Sequence, residues 1–81
     1  MPYFVYILKC NDNTLYTGIA TDVQRRLLEH NESDKGAKYT KIRRPVELVY
    51  TEESKDRSSA SKREYEIKKL KREDKLRLIN A

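Results

Sequence analysis

Cysteine is almost missing from this sequence: Cys10 is the only one in 81 residues. It has no partner for an intrachain disulfide, and with the single His30 it cannot complete a structural zinc site. Long apolar runs are missing too. The best candidate, Phe4 to Leu8, is interrupted by Tyr6 and falls far short of the ~20 residues a bilayer-spanning helix needs, which excludes a transmembrane placement. Met1-Pro2-Tyr3 has no basic flank and no cleavage signal, so a cytoplasmic chain is expected. There is no internal repeat and no low-complexity tail. Apolar residues make up 37% and charged residues 38%, so the core must be small and well filled. A single domain over residues 1–81 is expected, burying roughly 60–65% of the surface of its unfolded chain.

Charge is present but unevenly placed. The net charge is +5. Residues 35–44 contribute Lys35, Lys38, Lys41, Arg43 and Arg44 with no acid, and residues 55–77 are also strongly basic, whereas 1–34 and 45–54 are net acidic. Two basic blocks are what a phosphate-binding surface requires, although a solvated lysine-rich helix gives the same count.

Tyr3–Leu8 is β-branched and aromatic and reads as a strand, followed by turn chemistry at Asn11-Asp12-Asn13-Thr14 and a second strand from Leu15 to Ala20. Thr21, with Gln24 three residues on, predicts a capped helix with Val23 and Leu27 inward, ending near His30-Asn31. Residues 32–44 read as a basic loop, and Pro45–Tyr50 alternates as a third strand. Asp56 or Ser58 would cap a long helix from about Arg57 to Lys71, with Ala60, Ile67 and Leu70 as its apolar stripe, and Leu76 and Ile79 mark a short last helix. The order ββαβαα defines an α+β domain, a small three-stranded antiparallel sheet with helices packed on it.

Tyr6 and Tyr16 lie on the two arms of one hairpin, where cross-strand neighbours meet. Arg26 and His30 are spaced i and i+4 on the first helix and share a face. Glu64 sits at the inward edge of the long helix, where a carboxylate is costly unless it holds a cation or a strong donor. Its competing use is an i,i+4 ion pair with Lys68, worth under ~1 kcal/mol. Tyr, Arg, His and one Glu beside a basic loop are the parts of a phosphodiesterase: base, charge clamp, positioner and magnesium ligand.

The ordered series Val5-Tyr6-Ile7, Tyr16-Thr17-Gly18, Arg26, His30, Gly36-Ala37-Lys38-Tyr39-Thr40, Arg44-Pro45 and Ala60…Arg63-Glu64…Ile67-Lys68 resembles the GIY-YIG nuclease superfamily, over about Tyr3 to Ile79. It is most similar to the small stand-alone bacterial members. The Arg26…His30-Asn31 and Gly36-Ala37-Lys38 segments also look like the nuclease domain of eukaryotic branched-DNA resolvases. The resemblance implies a magnesium-dependent endonuclease acting on DNA (without ruling out RNA), a role in DNA repair or processing, and a protein partner that supplies specificity. It implies that Tyr6 or Tyr16 is the general base or positions the attacking water, that Arg26 neutralises charge on the scissile phosphate, and that His30 orients the water or a phenol. Glu64 would hold the metal, a weak site completed by substrate. Gly18, Lys38, Tyr39, Thr40, Lys41, Arg43, Arg44 and Lys68 would contact nucleic acid. Ile19 stands where excision-repair relatives carry lysine. The alternative is a nucleic-acid-binding module whose cleavage activity is lost or latent. A free phenol of pKa about 10 is only ~0.1% ionised at neutral pH, and bringing it to 7 takes about 4 kcal/mol of selective phenolate stabilisation.

Overall fold

A computed structural model describes residues 2–81. Apolar and aromatic residues from Tyr3 to Lys9 form the central strand β1, flanked on one side by β2 (Leu15–Ala20) and on the other by β3 (Glu47–Ser54), both antiparallel, in the order β2-β1-β3. The hairpin turns where Asn13 takes a left-handed φ of 67°, with the Asp12 carboxylate accepting from the Thr14 backbone and hydroxyl. Helices α1 (Val23–Glu32), α2 (Lys38–Lys41), α3 (Arg57–Lys68) and α4 (Arg72–Ile79) complete the α+β domain. No helix among the described residues is long and apolar enough to cross a membrane.

Strand alternation builds two cores. Val5 and Ile7 pack with Ala60 and Ile67 of α3 and with Leu78 and Ile79 of α4. Tyr6 and Leu8 face the other way, toward Cys10, Val46, and Val23 and Leu27 of α1. The sheet is therefore covered on both faces, and β1, in its middle, reads as an unbroken apolar run rather than a clean alternation. A β-bulge between Ile7 and Leu8 in the pairing with β3 lets Val49 and Tyr50 both pack toward α3 while Leu48 stays on the α1 side.

Four boundaries differ from expectation, each for a local reason. Asp22, not Thr21, caps α1: its carboxylate accepts from Arg25 N at 3.0 Å, and an anion there also complements the helix dipole. The segment read as a basic loop contains the single turn α2. Strand β3 starts later and runs longer than Pro45–Tyr50, because Asn31 binds both backbone groups of Val46, at 2.8 and 2.9 Å, ahead of the ladder. Its polar end, Thr51–Ser54, is held by pairing with Tyr3–Tyr6. Helix α3 stops at Lys68, and a turn through Leu70 sends α4 back to bury Leu78 and Ile79.

Candidate active site

Tyr6 pairs with Gly18 across the hairpin, and Leu8 pairs with Tyr16, so both tyrosines project from the α1 face of the sheet. The Tyr6 ring crosses the edge strand directly above Gly18, where an added Cβ would stand 2.6 Å from Tyr6 Cζ. Glycine at 18 thus makes room for the tyrosine, whereas the resemblance implied a nucleic-acid contact there. We expect Gly18→Ala to push Tyr6 off its partners, destabilising the fold by about 1–3 kcal/mol as overpacking does. A urea midpoint equal to the parent's would contradict this.

The Tyr6 hydroxyl lies 2.9 Å from His30 Nε2, and His30 Nδ1 lies 2.8 Å from Thr40 Oγ1. The Thr40 hydroxyl has one proton, which it donates to the Ala37 carbonyl at 2.9 Å. Thr40 must therefore accept from His30 Nδ1–H, which leaves Nε2 as the acceptor of the Tyr6 O–H. His30 and Thr40 are fully buried. Burial, reinforced by the Arg26 charge, lowers the His30 pKa to about 4. Burial raises Tyr6 to about 12; Arg26 opposes that shift, while the Tyr16 and Glu64 charges add to it. Both groups are neutral at pH 7.

The His30 shift has a stability consequence. Its folded pKa is depressed, so between about 4 and 6.5 the unfolded chain binds the extra proton and stability falls with falling pH. From pH 7 to 5 the loss should be about 2 kcal/mol. Urea melts at both pH values should show it in the parent, and His30→Gln should abolish that difference.

Arg26, one turn before His30 on α1, donates through Nη1 to Glu29 Oε1 and to the Lys35 carbonyl, both at 2.9 Å. Burial alone would depress its guanidinium, but bonds with Glu29 and Tyr6 outweigh that and hold it above its ordinary value. Beside it opens a concavity of about 290 Å³, lined by Ile19, Ala20, Asp22, Arg25 and Glu29 among others. Gly36 brings the following loop against α1, where a Cβ would meet Glu29 O at 2.8 Å. Glu64 comes from α3, on the other face of the sheet, yet lies near enough to Tyr6 for its charge to oppose phenol ionisation. Its carboxylate is half-buried, with Lys68 Nζ 3.4 Å from Oε2.

Tyr16 meets the His30 ring edge-on, centroids 5.2 Å apart, and stacks on Tyr39 at 6.0 Å. The Arg43 guanidinium caps the Tyr39 ring at 3.9 Å and is fixed by Asp12 Oδ2 and the Tyr39 carbonyl. Thr40, expected on the nucleic-acid surface, is instead wholly inside, holding His30. Arg44, expected beside it, turns back: Nε donates to the His30 carbonyl and Nη2 to the Ser33 carbonyl, both at 2.6 Å, closing the C-terminal end of α1. Lys38 and Lys68 are exposed and Lys41 partly so.

Two contributors were missed in the sequence. Glu29 was legible in principle, three residues after Arg26 on one helix. Asn31 was not, because its partner Val46 lies 15 residues away with no spacing signal.

No group of three or more His, Cys, Asp or Glu that could hold a metal occurs among the described residues. A single partly exposed carboxylate fits a hard cation that keeps most of its waters and takes phosphate oxygens as further ligands.

A three-stranded sheet whose tyrosine-bearing hairpin lies under a helix carrying Arg26 and His30, with Glu64 reaching the same edge from beyond the sheet, defines the class as an α+β domain of GIY-YIG type. The chain belongs to the GIY-YIG family: residues 2–77 match its catalytic domain. It is similar to a UPF0213 protein of Desulfotalea psychrophila, 60% identical over 98% of this chain and 72% of that one. It is also similar to a UPF0213 protein of Staphylococcus epidermidis, 62% identical over 95% and 93%. The solution NMR structure of the UPF0213 protein BH0048 from Bacillus halodurans matches with a TM-score of 0.62 and 46% identity, over 99% of this chain and 84% of that one.

Proposed function

We propose that residues 1–81 form one magnesium-dependent endonuclease domain that hydrolyses DNA phosphodiester bonds in the cytoplasm, in DNA repair or processing, with a protein partner supplying specificity. Membership of a catalytic-domain family whose activity is nucleolytic supports the general class. The observation that carries the specific reading is the buried Tyr6–His30–Thr40 chain, with the Arg26 and Glu64 charges both acting on the Tyr6 phenol.

In this reading the attacking water gives its proton to the Tyr6 oxygen as Tyr6 passes its own to His30 Nε2. The water oxygen bonds phosphorus and the bond from phosphorus to the leaving oxygen breaks, its electron pair staying on that oxygen, which takes a proton from solvent while His30 releases its extra proton to solvent. Arg26 neutralises the charge gathering on the phosphoryl oxygens. Glu64 holds the magnesium ion, which when bound supplies further charge neutralisation beside the phosphate. The resting pair is far from ionised. Burial raises the Tyr6 phenol and lowers the His30 imidazole, so both shifts disfavour the ionised pair. Lys38, Tyr39, Lys41, Arg43 and Lys68 line the route for neighbouring phosphates and bases, and Gly18, Thr40 and Arg44 act indirectly by shaping the centre.

The test is nicking of supercoiled plasmid and of branched DNA with and without magnesium. Cleavage that needs the metal and vanishes in Glu64→Ala is expected. Salt-sensitive DNA binding without cleavage under any of these conditions would instead favour the latent binding module.

A further inference from the structure

Glu64 already holds a cation: the Lys68 ammonium, one helical turn on, lies 3.4 Å from Oε2. Among the described residues no other basic group comes within 4.0 Å of this carboxylate. The two partners differ in freedom. The Glu64 side chain is 24% exposed and the Lys68 side chain 52%, so the carboxylate is the more enclosed partner and the ammonium the more solvated, on a long flexible stem. Neighbouring cations are otherwise engaged: Arg63 with Glu52 at 2.9 Å, Lys69 over the Tyr65 ring at 4.4 Å.

We propose that Lys68 is an exchangeable counter-ion. It neutralises Glu64 in the free protein, yields the carboxylate to the incoming divalent cation, and then pairs with a phosphate of the bound nucleic acid. This rests on reading Glu64 as the metal carboxylate. The exchange is driven by charge: the Lys68 ammonium, 3.4 Å from Oε2, repels a divalent cation arriving at the same carboxylate and can swing away on its long stem. Once displaced, Lys68 stands beside the phosphates that supply the cation's other ligands. Metal and nucleic acid therefore bind with positive coupling through one lysine, and the carboxylate is never left uncompensated.

The exchange makes opposite predictions for the two ligands. Lys68→Gln should bind Mn²⁺, followed by electron paramagnetic resonance without DNA, about three- to five-fold more tightly than the parent, the equivalent of one exposed ion pair. DNA-duplex binding is measured in a Tyr6→Phe background, so that the strand stays uncut. With Mn²⁺ present, Lys68→Gln should lower the salt slope of log affinity by about 0.9, the effect of one lost phosphate contact. In EDTA the slope should not change, because Lys68 is then held by Glu64. Lys69→Gln, which removes the same charge next door, should leave Mn²⁺ affinity unchanged. Unchanged or weaker Mn²⁺ binding by Lys68→Gln overturns the exchange, as does an equal slope loss in EDTA. Glu64→Ala separates the two levels: it should bind no Mn²⁺, and binding equal to the parent's would overturn the metal reading and the exchange together.

Discussion

Arg26→Ala is expected to lower DNA cleavage by about 10²–10³-fold, the usual cost of removing one fixed donor from a charge-stabilising site. The guanidinium is already oriented by Glu29 and the Lys35 carbonyl through Nη1, so its remaining N–H groups need no reorganisation to meet a phosphoryl oxygen. Arg26→Lys should recover little, because a point ammonium cannot hold the Glu29 and Lys35 anchors and a phosphate together. Losing the two anchoring bonds should also destabilise the fold by about 1–3 kcal/mol. Single-turnover cleavage well below the melting temperature separates the two effects, and a variant that cuts within a few-fold of the parent would remove Arg26 from the chemistry.

Tyr6→Phe should cost about 10²–10⁴-fold, the range for loss of a positioned general base. Tyr16→Phe should cost much less. The two phenols share one face of the hairpin, but only Tyr6 is bonded to His30; Tyr16 contributes its ring, packed edge-on to His30 and stacked on Tyr39. The order Tyr6→Phe below Tyr16→Phe below parent, from initial rates on one supercoiled-plasmid substrate, is the expected outcome. Equal losses would mean that the hydroxyl bonded to His30 has no special part in the reaction. Magnitude decides here: Tyr6→Phe also leaves His30 Nε2 buried without a donor, a stability cost of about 1–3 kcal/mol that circular dichroism would detect.

Much of this was legible in the residues. The sheet and its helices followed from period and turn chemistry, since β1 is β-branched and aromatic through most of its length and Asn13 tolerates the left-handed turn it adopts. The sequence placed Tyr6 and Tyr16 on the two arms of one hairpin, and the pairing of Leu8 with Tyr16 is what sets both on one face. What local reading could not supply was the direction of long polar side chains. Arg43 and Arg44 look alike in a basic run, yet one stacks on Tyr39 and the other closes a helix end. Thr40 sits in the same run but points inward, because His30 needs an acceptor for Nδ1–H and only the turn of α2 brings one. The role of Gly18 was misread for a similar reason. The close approach came from a side chain on the adjacent strand, twelve residues away in sequence, which pairing reveals and composition does not.

Nuclear magnetic resonance of ¹⁵N-labelled histidine tests the centre most directly, because His30 is the only histidine in the chain. The account predicts a neutral ring with its proton on Nδ1 at pH 7, titrating near pH 4 and losing the bonded Nε2 shift in Tyr6→Phe. A proton on Nε2, or an ordinary titration near 6.5, would leave Tyr6 without an acceptor and contradict the relay.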